Sequence, residues 1–236
     1  MTTICVLYPD LLGTYGDSGN GLALAERARR RGLDVELVNV TLNDEVPDAA
    51  LYLLGGGEDG PQRLAADLLR TSSFASRVRD GANVLAVCAG LQILGTTFCV
   101  EGDDEYEGLG LVDVVTSRGE RRSVGELATR VGDQLLVGFE NHGGRTVLNG
   151  AEALGTVLKG RGNDGKLDGY HTKNILSLIH IWSREGDDRF EGPITFGDEG
   201  GDLVGLLVGH VSKATEGVSC RGRRRRARWR RGERRR

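Results

Sequence analysis

Apolar residues fall in short runs along the N-terminal part of the chain, and amphipathic stretches separate them. Thr3-Ile4-Cys5-Val6-Leu7-Tyr8 reads as a buried first strand closed by Pro9. A loop rich in Gly, Asp, Ser and Asn follows through Asn20, and apolar positions on one face with Arg on the other predict a helix from about Leu22 to Arg31, stopped by Gly32. Val35 to Val40 alternates as a second strand, and Ala50 to Leu54 is a short apolar third that ends in Gly55-Gly56-Gly57. Gln62 to Leu69 returns to helical spacing, and Asn83 to Val87 is a strand that runs directly into Cys88. Strands alternating with helices at this spacing predict an α/β fold, a mostly parallel sheet flanked by helices. Functional loops of such sheets lie at the carboxyl ends of the strands, where both the triple glycine and Cys88 fall.

Cys88 is the candidate nucleophile on this pattern. A side chain on a tight strand-to-helix turn projects from the sheet edge, and the amides opening the next helix bring positive potential that favours a thiolate. A lone buried cysteine is more often plain core, but Gly90 keeps this turn uncrowded and the strand delivers the sulfur to its end. Gly55-Gly56-Gly57-Glu58-Asp59 lets backbone amides approach a ligand closely, as an anion or oxyanion site requires; the competing reading is a flexible turn before a helix near Pro61. The loop lacks the Lys-Ser/Thr of a P-loop and the spacing of a dinucleotide fingerprint, so nucleotide binding is not expected there.

Composition narrows the class. A chain of 236 residues is long enough for one sizeable core. No apolar run approaches the roughly 18 residues that span a bilayer, and no signal-peptide pattern opens the chain, so a cytoplasmic protein is expected. Cys5, Cys88, Cys99 and Cys220 form no CxxC pair and no metal-ligand spacing, which predicts neither a disulfide framework nor a metal site. The net charge of −3 hides a split: residues 221–236 hold 11 Arg and one Glu, which leaves residues 1–220 at −13. By composition alone that tail could serve as a nucleic-acid arm.

Four blocks then carry a resemblance: Tyr8-Pro9-Asp10 through Thr14-Tyr15-Gly16-Asp17-Ser18-Gly19-Asn20, Leu54 to Asp59, Cys88-Ala89-Gly90-Leu91-Gln92-Ile93-Leu94-Gly95, and Gly138-Phe139-Glu140-Asn141-His142-Gly143-Gly144-Arg145-Thr146. In this order and spacing they resemble the CobB/CobQ-like class I glutamine amidotransferases from residue 3 to about 175, most of all the branch that supplies ammonia in lipid II amidation. The resemblance implies a class I amidotransferase fold and a glutaminase that attacks L-glutamine through a Cys88 thiolate, with backbone amides at Gly56 and Ala89 stabilising the oxyanion. It matches the family's substrate-binding arginine to Arg122, whose guanidinium suits an α-carboxylate; the competing reading is a solvated surface Arg beside Arg121. It implies a MurT-like Mur-ligase subunit as partner in a stable complex, lipid II as substrate of that complex, ATP and Mg on the ligase, no cofactor in this chain and no nucleic acid. His142 is read as part of a structural, substrate-proximal loop, and His171 and His210 as structural.

The resemblance breaks after Ile175. The family's general base lies in a Gly-Thr-Tyr-Leu-His-Gly-Pro block, and here the chain reads Leu176-Ser177-Leu178-Ile179-His180-Ile181-Trp182. The family histidine falls near Ile181, one residue from His180, and a one-residue shift along a strand turns a side chain to the opposite face. The hexapeptide Leu176 to Ile181 is what the codons CTG TCT CTT ATA CAC ATC would encode, a string that resembles the transposase end sequence used in sequencing-library preparation. On this reading residues 1–175 form a truncated amidotransferase domain, and 176–236 are a disordered, non-family tail from a shifted frame or sequencing artefact. Three function classes follow: a glutaminase subunit, a catalytically dead partner-binding module, and, last, a basic-tail nucleic-acid binder. Cobyrinate-type amidation is the nearest alternative within the family.

Overall fold

The structure, a computed structural model, describes residues 1–14, 18–100 and 105–179. The first sheet is built from β1 (Thr2–Leu7), β2 (Val35–Val40), β3 (Leu51–Leu54), β4 (Asn83–Val87), β11 (Tyr170–His171) and β12 (Ile175–Leu178), in the order β11-β12-β4-β3-β1-β2. Its strands are parallel except β11, which pairs antiparallel with β12. Within β1, Ile4 and Val6 face one way and Cys5 and Leu7 the other, as a two-residue period requires. On the first side α1 (Ser18–Arg30) packs Leu24, Ala25 and Ala28 against Ile4, Val6 and Leu53. On the second, α2 (Asp59–Thr71), α3 (Phe74–Arg79) and α4 (Ala89–Leu94) close the larger core with Ala65, Leu69, Phe74 and Leu91. Tyr52 and Phe74 meet there edge to face, with ring centroids 5.3 Å apart.

The predicted strands β2 and β4 coincide with the observed ones, and α1 and α2 extend beyond the predicted helices. The periodicity begins at Leu22, but the polar turn Ser18–Gly21 is already helical because Gly21 lets the helix lie close against Val6. Gly32, at φ +81°, ends α1 as predicted; its amide and that of Leu33 donate back to the Arg29 and Ala28 carbonyls. Pro61 sits in the first turn of α2, where its missing N–H costs nothing.

A second sheet lies outside the predicted parallel set. β5 (Thr97–Cys99), β6 (Glu105–Glu107), β7 (Val114–Val131), β8 (Gln134–Leu148), β9 (Gly155–Lys159) and β10 (Leu167–Asp168) run in the order β10-β9-β7-β5-β6, with β8 paired along β7. Only β5 and β7 are parallel in it. The strands were not legible because Ser117 to Glu126 holds a single large apolar residue, Val124, so no alternation marks that stretch.

The boundary expected at 175/176 falls inside β12, which continues through Leu178 in register with β4 (Leu176 opposite Leu85, Leu178 opposite Val87). Leu176, Ser177 and Ile179 are buried, and the Ser177 hydroxyl donates to the Ala86 carbonyl at 3.0 Å. These apolar residues suit a central parallel strand whatever their origin. The remainder of the expected tail, residues 180–236 with His180, Ile181 and His210, lies outside the described residues. No helix among the described residues is long and apolar enough to cross a membrane.

Candidate active site

The junction of β4 and α4 holds Cys88 at φ 53°, ψ −107°. Among the described residues only Tyr8 shares a positive φ without being glycine. Such a conformation costs about 1–3 kcal/mol and persists where surrounding contacts over-determine it. Three contacts do so here. The Cys88 amide donates to the Leu178 carbonyl at 2.9 Å, tying the turn to β12. The Gly90 amide donates to the Gly55 carbonyl at 3.1 Å, tying the turn to the triple-glycine loop. α4 packs so close to β3 that a Cβ on Gly90 would stand 2.7 Å from Leu54 Cβ and 2.9 Å from Leu54 O. Gly90→Ala must push α4 away from β3; the expected cost is about 1–3 kcal/mol in urea unfolding, with loss of activity beyond what the stability change explains.

Cys88 is only 7% exposed, yet it opens on a cavity of about 110 Å³. Cys88 and Ala89 contribute to its lining, as do Glu58, Asp59 and Gln62 from the start of α2 and Arg118, Arg122 and Asn141 from the second sheet. The last three arrive through an irregularity in the β7–β8 pairing. Arg118 stands opposite Gly144 and Ser123 opposite His142, so residues 119–122 on β7 face Gly143 alone. Bulges of this kind re-aim side chains next to active sites. Arg122 is held by Asn141, its Nε donating to Oδ1 at 2.7 Å and its Nη2 to the backbone oxygen at 3.4 Å.

Behind Asn141 lies a buried polar pair. Glu140 accepts the backbone N–H groups of Arg161 and Gly162, each at 2.9 Å, and faces His142 Nε2 at 3.2 Å. His142 Nδ1 faces the Gly144 carbonyl at 3.0 Å, within β8. Burial pushes the His142 imidazole below its ordinary value, and outweighs the opposite pull of Glu140 and Gly144. The unfolded ring takes a proton near 6.5 and the folded ring resists it. This contribution to stability is therefore present above about pH 6.5 and lost as the pH falls below it. Urea midpoints measured between about pH 5 and 8 should fall on the acid side, and His142→Gln should flatten that slope.

The structure thus brings Cys88, Ala89 and Arg122 to one cavity. Gly57, and not Gly56, is the glycine of the triple-glycine loop that lines it; the Gly56 carbonyl accepts the Thr14 amide at 3.3 Å one residue behind. His142 lines the cavity with both ring nitrogens engaged. His171 is elsewhere, on β11, with Nε2 3.6 Å from Glu152. Gln62, Gln92, Cys99 and Arg118 were not singled out from the sequence and also line the cavity. Gln62 and Gln92 join two helices through a buried Nε2 to Oε1 hydrogen bond of 3.0 Å. A polar residue in each of two apolar helix faces was the available signal. Among the described residues no group of three or more His, Cys, Asp and Glu could hold a metal ion.

Residues 3–183 match the CobB/CobQ-like glutamine amidotransferase domain. The chain belongs to that family. The match runs past Ile175, through β12 and beyond it. Among similar proteins, the amidotransferase is 34% identical over 181 residues to the lipid II isoglutaminyl synthase (glutamine-hydrolyzing) subunit GatD of Staphylococcus aureus, covering 74% of each chain. It is also 34% identical to the GatD subunit of Streptococcus pneumoniae over 188 residues, covering 75% of this chain and 72% of that one. A cobyric acid synthase of Sphingopyxis alaskensis is 31% identical over 57% of this chain and 29% of its own. In fold, the amidotransferase resembles a glutamine amidotransferase crystal structure (TM-score 0.52, 19% identity, 75% of this chain and 89% of that one). It also resembles the PurLQS structure from Thermotoga maritima (TM-score 0.56, 18% identity, 88% of this chain and 97% of that one). The chain is thus a glutamine amidotransferase of α/β fold.

Proposed function

We propose that this chain is the glutaminase subunit of a lipid II-amidating synthetase. It hydrolyses L-glutamine and passes ammonia to a MurT-like Mur-ligase subunit, which amidates the D-glutamate of lipid II in peptidoglycan synthesis. The observation that carries the reading is Cys88 at positive φ on the β4–α4 turn, opening on a cavity whose wall holds Arg122. The names of the two GatD relatives support the glutamine-hydrolysing step and the lipid II acceptor.

In this reading the Cys88 thiolate attacks the carboxamide carbon, and the oxyanion takes hydrogen bonds from the backbone amides of Ala89 and of the triple-glycine loop, where Gly57 lines the cavity, a contribution of about 3–4 kcal/mol per donor. Arg122 pairs with the α-carboxylate, held by Asn141 so that little side-chain freedom is lost on binding. Collapse of the tetrahedral species expels the nitrogen as ammonia, which takes the proton released when the Cys88 thiol ionised, and leaves a glutamyl thioester. Water then attacks the thioester and releases glutamate and the Cys88 thiol. The chain needs no cofactor for these steps; ATP and Mg belong to the ligase, and the pair works in the cytoplasm as a heterodimer.

The absent Leu-His-Gly-Pro block favours a second reading, a partner-binding module without turnover. The full chain with its ligase separates the two. Glutamate release and lipid II amidation with L-glutamine support the glutaminase; amidation with ammonium chloride but none with L-glutamine establishes the module. Resequencing codons 176–181 tests the shifted frame: an uninterrupted genomic read overturns it, and a restored Leu-His-Gly-Pro block supports it.

A further inference from the structure

Glu140 is 4% exposed, and its carboxylate points away from the Cys88 cavity into the turn that follows β9. Its Oε1 accepts the Arg161 amide and its Oε2 the Gly162 amide. Two successive backbone N–H groups in a turn form a nest for an anion. Glycines shape this one, with Gly160 at φ +90° and Gly162 at φ +60°. A Cβ on Gly160 would stand 3.0 Å from Glu140 Oε1 and 2.8 Å from Glu126 O, so a glycine is what lets the carboxylate seat there. The chain thus fills its own anion nest. The next residue of the turn, Asn163, accepts the Thr146 amide on its carbonyl at 3.0 Å. One turn therefore grips β8 at two points, Glu140 and Thr146.

The grip spans the place where the β7–β8 ladder is interrupted. Between those two points residues 119–122 of β7 have Gly143 alone across from them, and a bulge of this kind disrupts the regular ladder. Side chains of β8 hold the excursion instead. Asn141 accepts the Arg122 Nε at 2.7 Å, and Arg145 donates from Nη2 to the Arg121 carbonyl at 2.7 Å. The position of Arg122 therefore follows the position of β8, and at this level the nest fixes β8 through Glu140.

Resting on the glutaminase reading, in which Arg122 pairs with the substrate carboxylate, we propose that Glu140 is a positioning residue. Seated in the Gly160–Gly162 nest, it sets through Asn141 where the Arg122 guanidinium stands over the cavity. It touches neither substrate nor thiol. Its loss should misplace the amino-acid end of the substrate and leave the intrinsic reactivity of Cys88 as it was.

The test labels the full chain with two reagents and reads the Cys88 peptide by mass spectrometry. One is 6-diazo-5-oxo-L-norleucine, a diazoketone with the amino-acid end of L-glutamine; the other is iodoacetamide, which has neither carboxylate nor amine. The ratio of the two rates reports how well the amino-acid end is placed, whereas partial unfolding changes both rates together. Glu140→Gln keeps the shape of the side chain and gives up one acceptor oxygen. Glu140→Asp keeps the carboxylate and withdraws it from the nest by one methylene. Each is expected to lower the ratio about 10-fold through the diazoketone rate. Arg122→Ala should lower it by at least as much, and adding Glu140→Gln to Arg122→Ala should lower it no further, because both changes remove the same contact. Circular dichroism confirms that each variant is folded at the assay temperature. A parent-like ratio in the folded Glu140 variants, or losses that multiply in the double variant, overturns the positioning role and leaves the glutaminase reading standing. Failure of the diazoketone to label Cys88 in the parent overturns both.

Discussion

Cys88→Ala should lower glutamine hydrolysis by about 10⁴-fold or more, with the fold intact, because in the proposed mechanism its thiolate forms the covalent bond that the rest of the site only assists. Cys88→Ser should be nearly as inactive, since a hydroxyl in the same place is a far weaker nucleophile without a base to take its proton. Glutamate release by the full chain with the proposed ligase partner gives the activity, and ammonium-dependent amidation by the same pair controls for loss of that partner. The backbone adds a second readout. Cys88 sits at φ 53°, where a β-carbon is strained and glycine is not. Cys88→Gly should therefore be inactive yet more stable than the parent by about 1 kcal/mol, after the entropy of the added glycine is subtracted. A parent-like rate in either Cys88→Ala or Cys88→Gly would sink the nucleophile assignment.

Tyr170→Ala should cost about 3–5 kcal/mol, a large part of the stability of a domain of this kind. Tyr170 is fully buried, and its hydroxyl donates to the Leu91 carbonyl in α4 at 2.8 Å. α4 is only six residues long, so its terminal carbonyls depend on partners outside the helix. Ile93 O is met by the Leu109 amide, Leu94 O by those of Leu111 and Val112, and Leu91 O by Tyr170. Burial raises the Tyr170 phenol well above its ordinary value, so it keeps its donor across the accessible pH range. Tyr170→Phe keeps the ring and removes only the donor; its expected cost is about 1–3 kcal/mol, for one buried acceptor left unsatisfied. Urea unfolding of both variants separates packing from hydrogen bonding. A Tyr170→Phe variant as stable as the parent would show that the hydroxyl contributes nothing to holding α4.

The parallel part of the fold was legible because its signals are local. β4 announces itself as an apolar run, its end is marked by Cys88-Ala89-Gly90, and the order of strands and helices along the chain already implies a parallel sheet. The triple glycine was legible as a ligand loop, although Gly57 and not Gly56 reaches the cavity lining. The β7–β8 hairpin was not legible. Its polar middle, Ser117 to Glu126, carries almost no apolar alternation, since four residues there lie opposite one partner residue. Arg122 was reached only through the family resemblance, because nothing local distinguishes it from Arg121.

The candidate site divides along the same line. The sequence by itself determined that a cysteine stands at a strand-to-helix turn, that a glycine run ends a neighbouring strand, and that no local pattern calls for a metal or nucleotide. These follow from short-range sterics and hydrophobic period, which a few adjacent residues specify. Only the tertiary structure decided that Arg118, Arg122 and Asn141 line one cavity with Glu58, Asp59, Gln62 and Cys88, and that β12 continues through Leu178 into the first sheet. Those facts depend on register between strands far apart in the chain and on an irregularity in one hairpin. Register is a property of paired strands, set by packing on both faces at once, and no single segment carries it.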